Sequence, residues 1–111
     1  MTQMVDHFKE AMRLLIAAPI HLKGSFYGKK FSNGTLVVHE NIKTADCFCA
    51  AGALHRVLDR DVVNAGSSLP QEYVEALGFK SEGGIYNWND KSDKNEVLTR
   101  FAETINKLEK M

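Results

Sequence analysis

The side chains able to do covalent or metal chemistry gather on and near one stretch, Thr44 to Arg60, which contains both cysteines of the chain, Cys47 and Cys49. A thiol in the first turn of a helix lies near the positive end of the helix dipole, which stabilises the thiolate and raises its nucleophilicity. A thiol enzyme also needs an imidazole base, for which His39 and His55 are the candidates, and a polar group such as Asn89 or Asp90 to orient the ring. The same thiols and imidazoles are zinc donors by type. Residues two apart on a helix point about 200° away from each other, so the two cysteines share an ion only if the helix starts beyond them. No metal is therefore expected. Against the catalytic reading, free cysteine is among the most buried residue types, and both thiols are expected in the core. A bridge between residues two apart would be badly strained, so they read as free thiols of a reducing cytosol.

A second group of chemical interest is Asn87-Trp88-Asn89-Asp90. It combines an indole face for stacking with three short polar side chains for hydrogen bonding, and it is expected to be an aromatic loop that anchors a binding partner. The structural alternative is that Asn and Asp bond their own backbone in a turn while Trp88 plugs a gap beside Gly52.

These groups need elements to hold them. Cys47, Ala50, Ala51, Leu54, Val57 and Leu58 recur at helical steps, which predicts a central helix over about 44–60, capped by Thr44 or Asp46. Gly52 within it costs about 1 kcal/mol against alanine, so a backbone or a large ring is expected to press close there. Val5, Phe8, Met12 and Leu15 form the stripe of an N-terminal helix that ends before Pro19. Alternation on both sides of Asn33-Gly34 predicts a β-hairpin over about 26–39, with Phe31 facing Leu36, Lys29 facing Val38, and Phe31, Leu36 and Val38 on its buried side. Asn64 to Ser67 reads as a loop. Ser68 and Gln71 have the spacing of a capping box for a short helix through Leu77, closed by Gly78. Ser81-Glu82-Gly83-Gly84 reads as a flexible turn. Asp93 and Glu96 have the same box spacing ahead of Val97, Leu98, Phe101, Ile105 and Leu108, the face of a C-terminal amphipathic helix. Cys49, Leu54, Leu98 and Phe101 are expected to be buried.

Composition bounds the function classes. The 111 residues fit one domain, 1–111, and 14 basic against 14 acidic residues, scattered along the chain, leave no electrostatic footprint for duplex nucleic acid or anionic membrane. The longest apolar run, Leu14 to Ile20, is far shorter than the roughly 20 residues of a membrane span, and Asp6, His7, Lys9 and Glu10 interrupt any export signal. A nucleotide-binding glycine loop, an HExxH helix and a GxSxG elbow are all missing, so no cofactor is expected.

The segment Cys49-Ala50-Ala51-Gly52-Ala53-Leu54, the later Trp88-Asn89-Asp90 and the closing amphipathic helix resemble a family of short bacterial and phage proteins with a C-x-x-G-A-L helix and a W-N-D loop. The likeness extends over Leu14, Lys23-Gly24 and the hairpin, so it spans most of the chain. It carries no activity to transfer. It implies a cytoplasmic protein of a bacterium or infected host, from a phage or mobile element, in which the Cys49 helix and the Trp88 segment form one unit.

The expected fold is a mainly helical α+β domain with a central helix, N- and C-terminal amphipathic helices and one hairpin. A small neutral chain without a cofactor motif works most often by presenting a surface. The expected function is thus that of a non-catalytic binding protein, an accessory factor acting on a host protein, with Asn87, Trp88, Asn89 and Asp90 as its anchor. Self-association is compatible with this reading. The alternatives are a thiol-dependent hydrolase or transferase using Cys47 or Cys49 with His39 or His55, and a small-ligand binder.

Overall fold

The backbone needs of residues 46–49 decide where the central helix begins. In the computed structural model, which describes residues 2–38, 41–60 and 66–110, these residues pair as a strand before any helix starts. Asp46 N–H donates to the Gly28 carbonyl at 2.9 Å and Cys49 N–H to the Phe26 carbonyl at 3.0 Å. Strand β3 (Cys47–Phe48) thus runs antiparallel to β1 (Tyr27–Lys30), with Tyr27 opposite Phe48 and Gly28 opposite Cys47. The central helix, α2, covers Ala50–Leu58. Its cap is Cys49, in place of Thr44 or Asp46, and Cys47 lies in a strand outside the helix. Burial on both faces of so short a strand mimics helical periodicity, which is why the apolar pattern alone runs the helix back too far.

Strand β2 (Leu36–Val38) pairs with the other side of β1, giving an antiparallel sheet of order β2-β1-β3. The hairpin forms, but its register is one residue away from that expected. Lys30 faces Leu36 and Gly28 faces Val38. The corner is a three-residue loop, Ser32-Asn33-Gly34, closed by Phe31 N–H on the Thr35 carbonyl at 2.8 Å, with Gly34 in the left-handed region at φ +89°. A glycine there is the mark of a three-residue hairpin loop with a bulge. A shift of one residue turns side chains to the other face, and Phe31 and Val38 are exposed, with Leu36 half-buried.

The remaining elements are α1 (Thr2–Ala17), α3 (Gln71–Ala76), α4 (Glu82–Lys91) and α5 (Lys94–Glu109). The fold is mainly helical α+β, with α1 packed against both α2 and α5. Phe8 and Phe101 meet edge to face with centroids 5.8 Å apart and are fully buried, as are Leu54 and Ala11, whereas Leu98 is half-buried on the flank. The first helix stops ahead of Pro19 as expected, and the Lys94 ammonium donates to the carbonyls of Ile16 and Ala18 at 3.1 and 2.9 Å. A cation at that end satisfies orphan carbonyls and complements the helix dipole.

Asp93 and Glu96 form the expected capping box. The Ser68 box does not form, because the cap of α3 is Pro70. At its other end Gly78, at φ +97°, lets Phe79 N–H reach the Val74 carbonyl and its own N–H reach Glu75, a Schellman closure. The largest departure concerns residues 82–91, expected as a turn and an aromatic loop and folded as helix α4. Asn64 and Ala65, part of an expected loop, lie outside the described residues.

The close approach inferred at Gly52 is present, and what presses there is the Phe26 backbone and not Trp88. A Cβ on residue 52 would lie 1.7 Å from the Phe26 carbonyl oxygen and 2.6 Å from its carbon. That carbonyl is held by Cys49 N–H and has no freedom to retreat without breaking the junction of β1 and β3. We predict that Gly52→Ala destabilises by about 3 kcal/mol or more, the upper end of overpacking costs, although alanine is the better helix former. Urea denaturation at neutral pH checks this, and an unchanged midpoint would refute the close packing.

Candidate functional site

Helix α4 brings the two groups of chemical interest together, although it has a poor helical composition. Its residues Glu82, Tyr86 and Asp90 stand four apart and share one stripe, with Ile85 and Asn89 on the adjacent inner stripe. The Phe79 ring packs closely on Gly84, where a Cβ would sit 3.3 Å from Phe79 Cδ1.

Asn89 is the centre of this site. Its side chain is buried and every hydrogen-bonding position in use. Oδ1 accepts from Ala50 N–H at 2.9 Å and from His21 Nε2 at 2.7 Å. Nδ2 donates to the Leu22 carbonyl at 3.0 Å and to Asp90 Oδ1 at 3.2 Å. The two backbone partners fix which end of the carboxamide is oxygen, and His21 must therefore carry its proton on Nε2. Ala50 is the first residue of α2, so Asn89 satisfies one of the orphan N–H groups of the central helix from a distant element.

Asp90, next along α4, accepts from Gly24 N–H at 2.9 Å, where Gly24 sits at φ +76° in the turn that leads towards β1. Between the 24–26 segment and α4 lies a cleft of about 170 Å³, with Phe26 and Tyr86 in its walls, Cys49 at its base and Asp90 at its rim. Phe26 and Tyr86 meet edge to face, centroids 5.0 Å apart.

Behind the cleft an imidazole meets a carboxylate. His55, fully buried, has Nδ1 2.8 Å from the Arg60 carbonyl and Nε2 2.8 Å from Glu82 Oε2. Glu82 also accepts from Leu69 N–H at 2.7 Å and from the Tyr86 hydroxyl. Burial opposes ionisation of Glu82, but the hydrogen bonds from His55, Tyr86 and Leu69 prevail and hold its carboxyl below the ordinary value of 4.5. His55 thus has an acceptor beside each ring nitrogen, a carbonyl at Nδ1 and the Glu82 carboxylate at Nε2. Burial, and the carboxylate it serves, push the Tyr86 hydroxyl up, so it stays a donor.

The thiols do not have the surroundings of nucleophiles. Burial pushes Cys49 up to about 12, despite the stabilising N–H groups of Gly52 and Ala51. Its Sγ is the helix cap, accepting from Gly52 N–H at 3.2 Å. Burial also raises Cys47, whose thiol donates to Asp46 Oδ1 at 3.2 Å. Nε2 of His21 and both ring nitrogens of His55 are engaged elsewhere, and His39 lies outside the described residues. No cluster of three or more His, Cys, Asp or Glu side chains fit to hold a metal ion occurs among the described residues.

The four nominated anchor residues are split by the helix. Asn89 and Asp90 face the cleft, whereas Asn87 is exposed. Trp88 is half-buried against Phe79, centroids 5.4 Å apart, with the Arg100 guanidinium 5.1 Å from each ring. His21, Phe26, Glu82 and Tyr86 complete the site without having been nominated. The four-residue spacing of Glu82, Tyr86 and Asp90 is a helical signal, obscured by Gly83-Gly84 reading as a turn.

The Glu82 carboxylate gives the site a pH signature. A carboxyl whose pKa is depressed on folding contributes stability that is complete above its unfolded value, here 4.5, and is lost as pH falls through the lower folded value. We predict that Glu82→Gln, which removes the carboxylate that accepts from Leu69 N–H and the Tyr86 hydroxyl and faces His55, costs about 3 kcal/mol at pH 7. Denaturation curves from pH 7 to 2 should show the gap to wild type narrowing only below 4.5, whereas a gap constant across that range would contradict an ionised Glu82 in the folded chain.

Compared with family models, with curated proteins and with solved structures, the chain shows no significant match.

Proposed function

We propose that this chain is a small non-catalytic binding protein acting on a protein partner, and that the cleft beside Asp90 is its recognition site. The observation that carries the reading is the condition of Cys49. The group in the cleft best suited to covalent chemistry is held as a neutral thiol and serves as a helix cap, with its Sγ on Gly52 N–H. What the cleft offers instead is a preformed arrangement of aromatic walls and a fixed carboxylate, the mixture from which recognition pockets are built.

Two further features support a protein partner. Phe31, Val37 and Val38 are large apolar side chains exposed on the hairpin, and β2 forms one edge of the sheet. Edge strands with apolar side chains are ready surfaces for another chain, including a second copy of this one. Trp88, sandwiched with Phe79 and Arg100, adds a half-buried aromatic and a guanidinium, residue types enriched in binding hot spots. Among the described residues no helix is long and apolar enough to cross a membrane. The resemblance noted from the sequence supports a cytoplasmic accessory factor of a phage or mobile element, acting on a host protein.

The test compares folded variants. Asp90→Ala and Trp88→Ala should weaken capture of the host partner by about tenfold, the scale of an interface anchor losing more than 1 kcal/mol. Cys47→Ser, outside the cleft, should lower stability but leave capture intact, with melting curves confirming that the variant is folded. In the native protein Cys49 should resist a thiol reagent at pH 7 until the chain is unfolded. Rapid native labelling of Cys49, together with loss of function in a folded Cys49 variant, would restore the thiol-enzyme reading.

A further inference from the structure

The chemistry of the cleft narrows what fills it. At about 170 Å³ it is close to the size of a cavity that admits benzene, roughly 150 Å³, and well below the roughly 300–1,000 Å³ of sites for drug-sized ligands. It therefore takes one side chain or a fragment of similar bulk. An anion is disfavoured. The N–H groups at the start of α2 are already used, Ala50 by Asn89 Oδ1 and Gly52 by Cys49 Sγ, and the rim carries the Asp90 carboxylate.

A cation is favoured by the carboxylate at the rim and by the walls. Asp90 is exposed and enters no ion pair among the described residues, although Lys91 is its chain neighbour. Its Oδ1 is fixed by Gly24 N–H and Asn89 Nδ2, which orients the carboxylate before any ligand arrives and leaves Oδ2 without a protein partner among the described residues. Phe26 and Tyr86 in its walls are apolar rings against which an aliphatic stem can be buried. The Tyr86 hydroxyl is turned to Glu82 and so does not compete as a donor for Asp90.

We infer that the cleft is a receptor for an aliphatic cation, an alkylammonium or guanidinium group on a short apolar stem. This rests on the reading of the chain as a binding protein and names the group its site takes. Such a cation is available as a free amine or as a lysine or arginine side chain of a protein partner, and the two sources differ in what surrounds the stem.

The experiment is a titration of the full chain, followed by the backbone N–H shift of Gly24 and the side-chain NH₂ shifts of Asn89. The probes are n-butylammonium, N-ethylguanidinium, neutral n-butanol and the acetylated amides of lysine and arginine. Both cations should give saturable shifts at these reporters, and n-butanol should bind at least about fivefold more weakly, the scale of an ion pair near 1 kcal/mol. Asp90→Asn keeps an acceptor for Gly24 N–H and should weaken the cations by a similar factor at an unchanged melting temperature. If that variant melts early, Ser25→Leu replaces it, filling the cleft from the opposite wall. Acetylated amides that bind at least as well as the free cations identify a partner's side chain as the source, and exclusion of the amides identifies a free amine. Absence of saturable shifts, equal binding of n-butanol, or undiminished binding to both variants would overturn the inference. Loss of partner capture in Asp90→Ala with no response to either cation would remove the cation and leave the binding reading standing. Cation binding with partner capture untouched by Asp90→Ala would do the reverse.

Discussion

The interaction on which the rest of this structure depends is the buried carboxamide of Asn89. One side chain joins three segments far apart in sequence: the start of the central helix at Ala50, the Leu22 backbone beyond α1, and α4 itself. Without it the Ala50 N–H and the Leu22 carbonyl would lose this partner, and burying an unpaired donor or acceptor costs about 1–3 kcal/mol. No apolar residue serves these partners. Aspartate would keep the acceptor but lose the donation to Leu22 and place a second carboxylate beside Asp90. The requirement for both a donor and an acceptor at one buried point is what makes asparagine the fitting residue.

Around that point the backbone is packed to its limit. The Phe26 carbonyl serves Cys49 N–H while lying against Gly52, so strand, cap and helix are locked in one place. On the far side of α2, the His55–Glu82 pair ties the end of that helix to the start of α4. Helix α4 is thus bonded to both ends of α2, by Glu82 and by Asn89, and the cleft lies along the stretch between them. The geometry of the Asp90 rim follows from these fixed ends and has little freedom of its own.

Much of this framework is legible in the residues. The stripes of α1 and α5, the Asp93–Glu96 box and the Gly78 closure follow from local rules, because neighbours in sequence make the contact; at Gly52 the misplaced glycine marks a close approach whose partner, Phe26, is distant in sequence. What is not legible depends on partners far away. Cys47 and Phe48 are strand because Tyr27 and Gly28 lie beside them, and no periodicity within 44–60 contains that fact. Gly83, Gly84, Asn87, Asn89 and Asp90 are weak helix formers, and α4 exists because Phe79, His55 and the 21–24 segment supply contacts that outweigh propensity. For the same reason the site was only half visible. Asn89 and Asp90 stand out by type, whereas His21, Phe26 and Tyr86 gain meaning only when the fold brings them to α4.

The claim that Asn89 ties the structure together is tested most directly by hydrogen exchange in the native chain, read at the Asn89 side-chain NH₂ and the Ala50 backbone N–H. If the carboxamide is integral to the fold, both sites exchange only through global unfolding, with the same opening free energy and the same denaturant dependence as the core amide of Leu54. Exchange of the Asn89 and Ala50 protons through a local opening, orders of magnitude faster than Leu54 and insensitive to denaturant, would show that the fold stands without this contact.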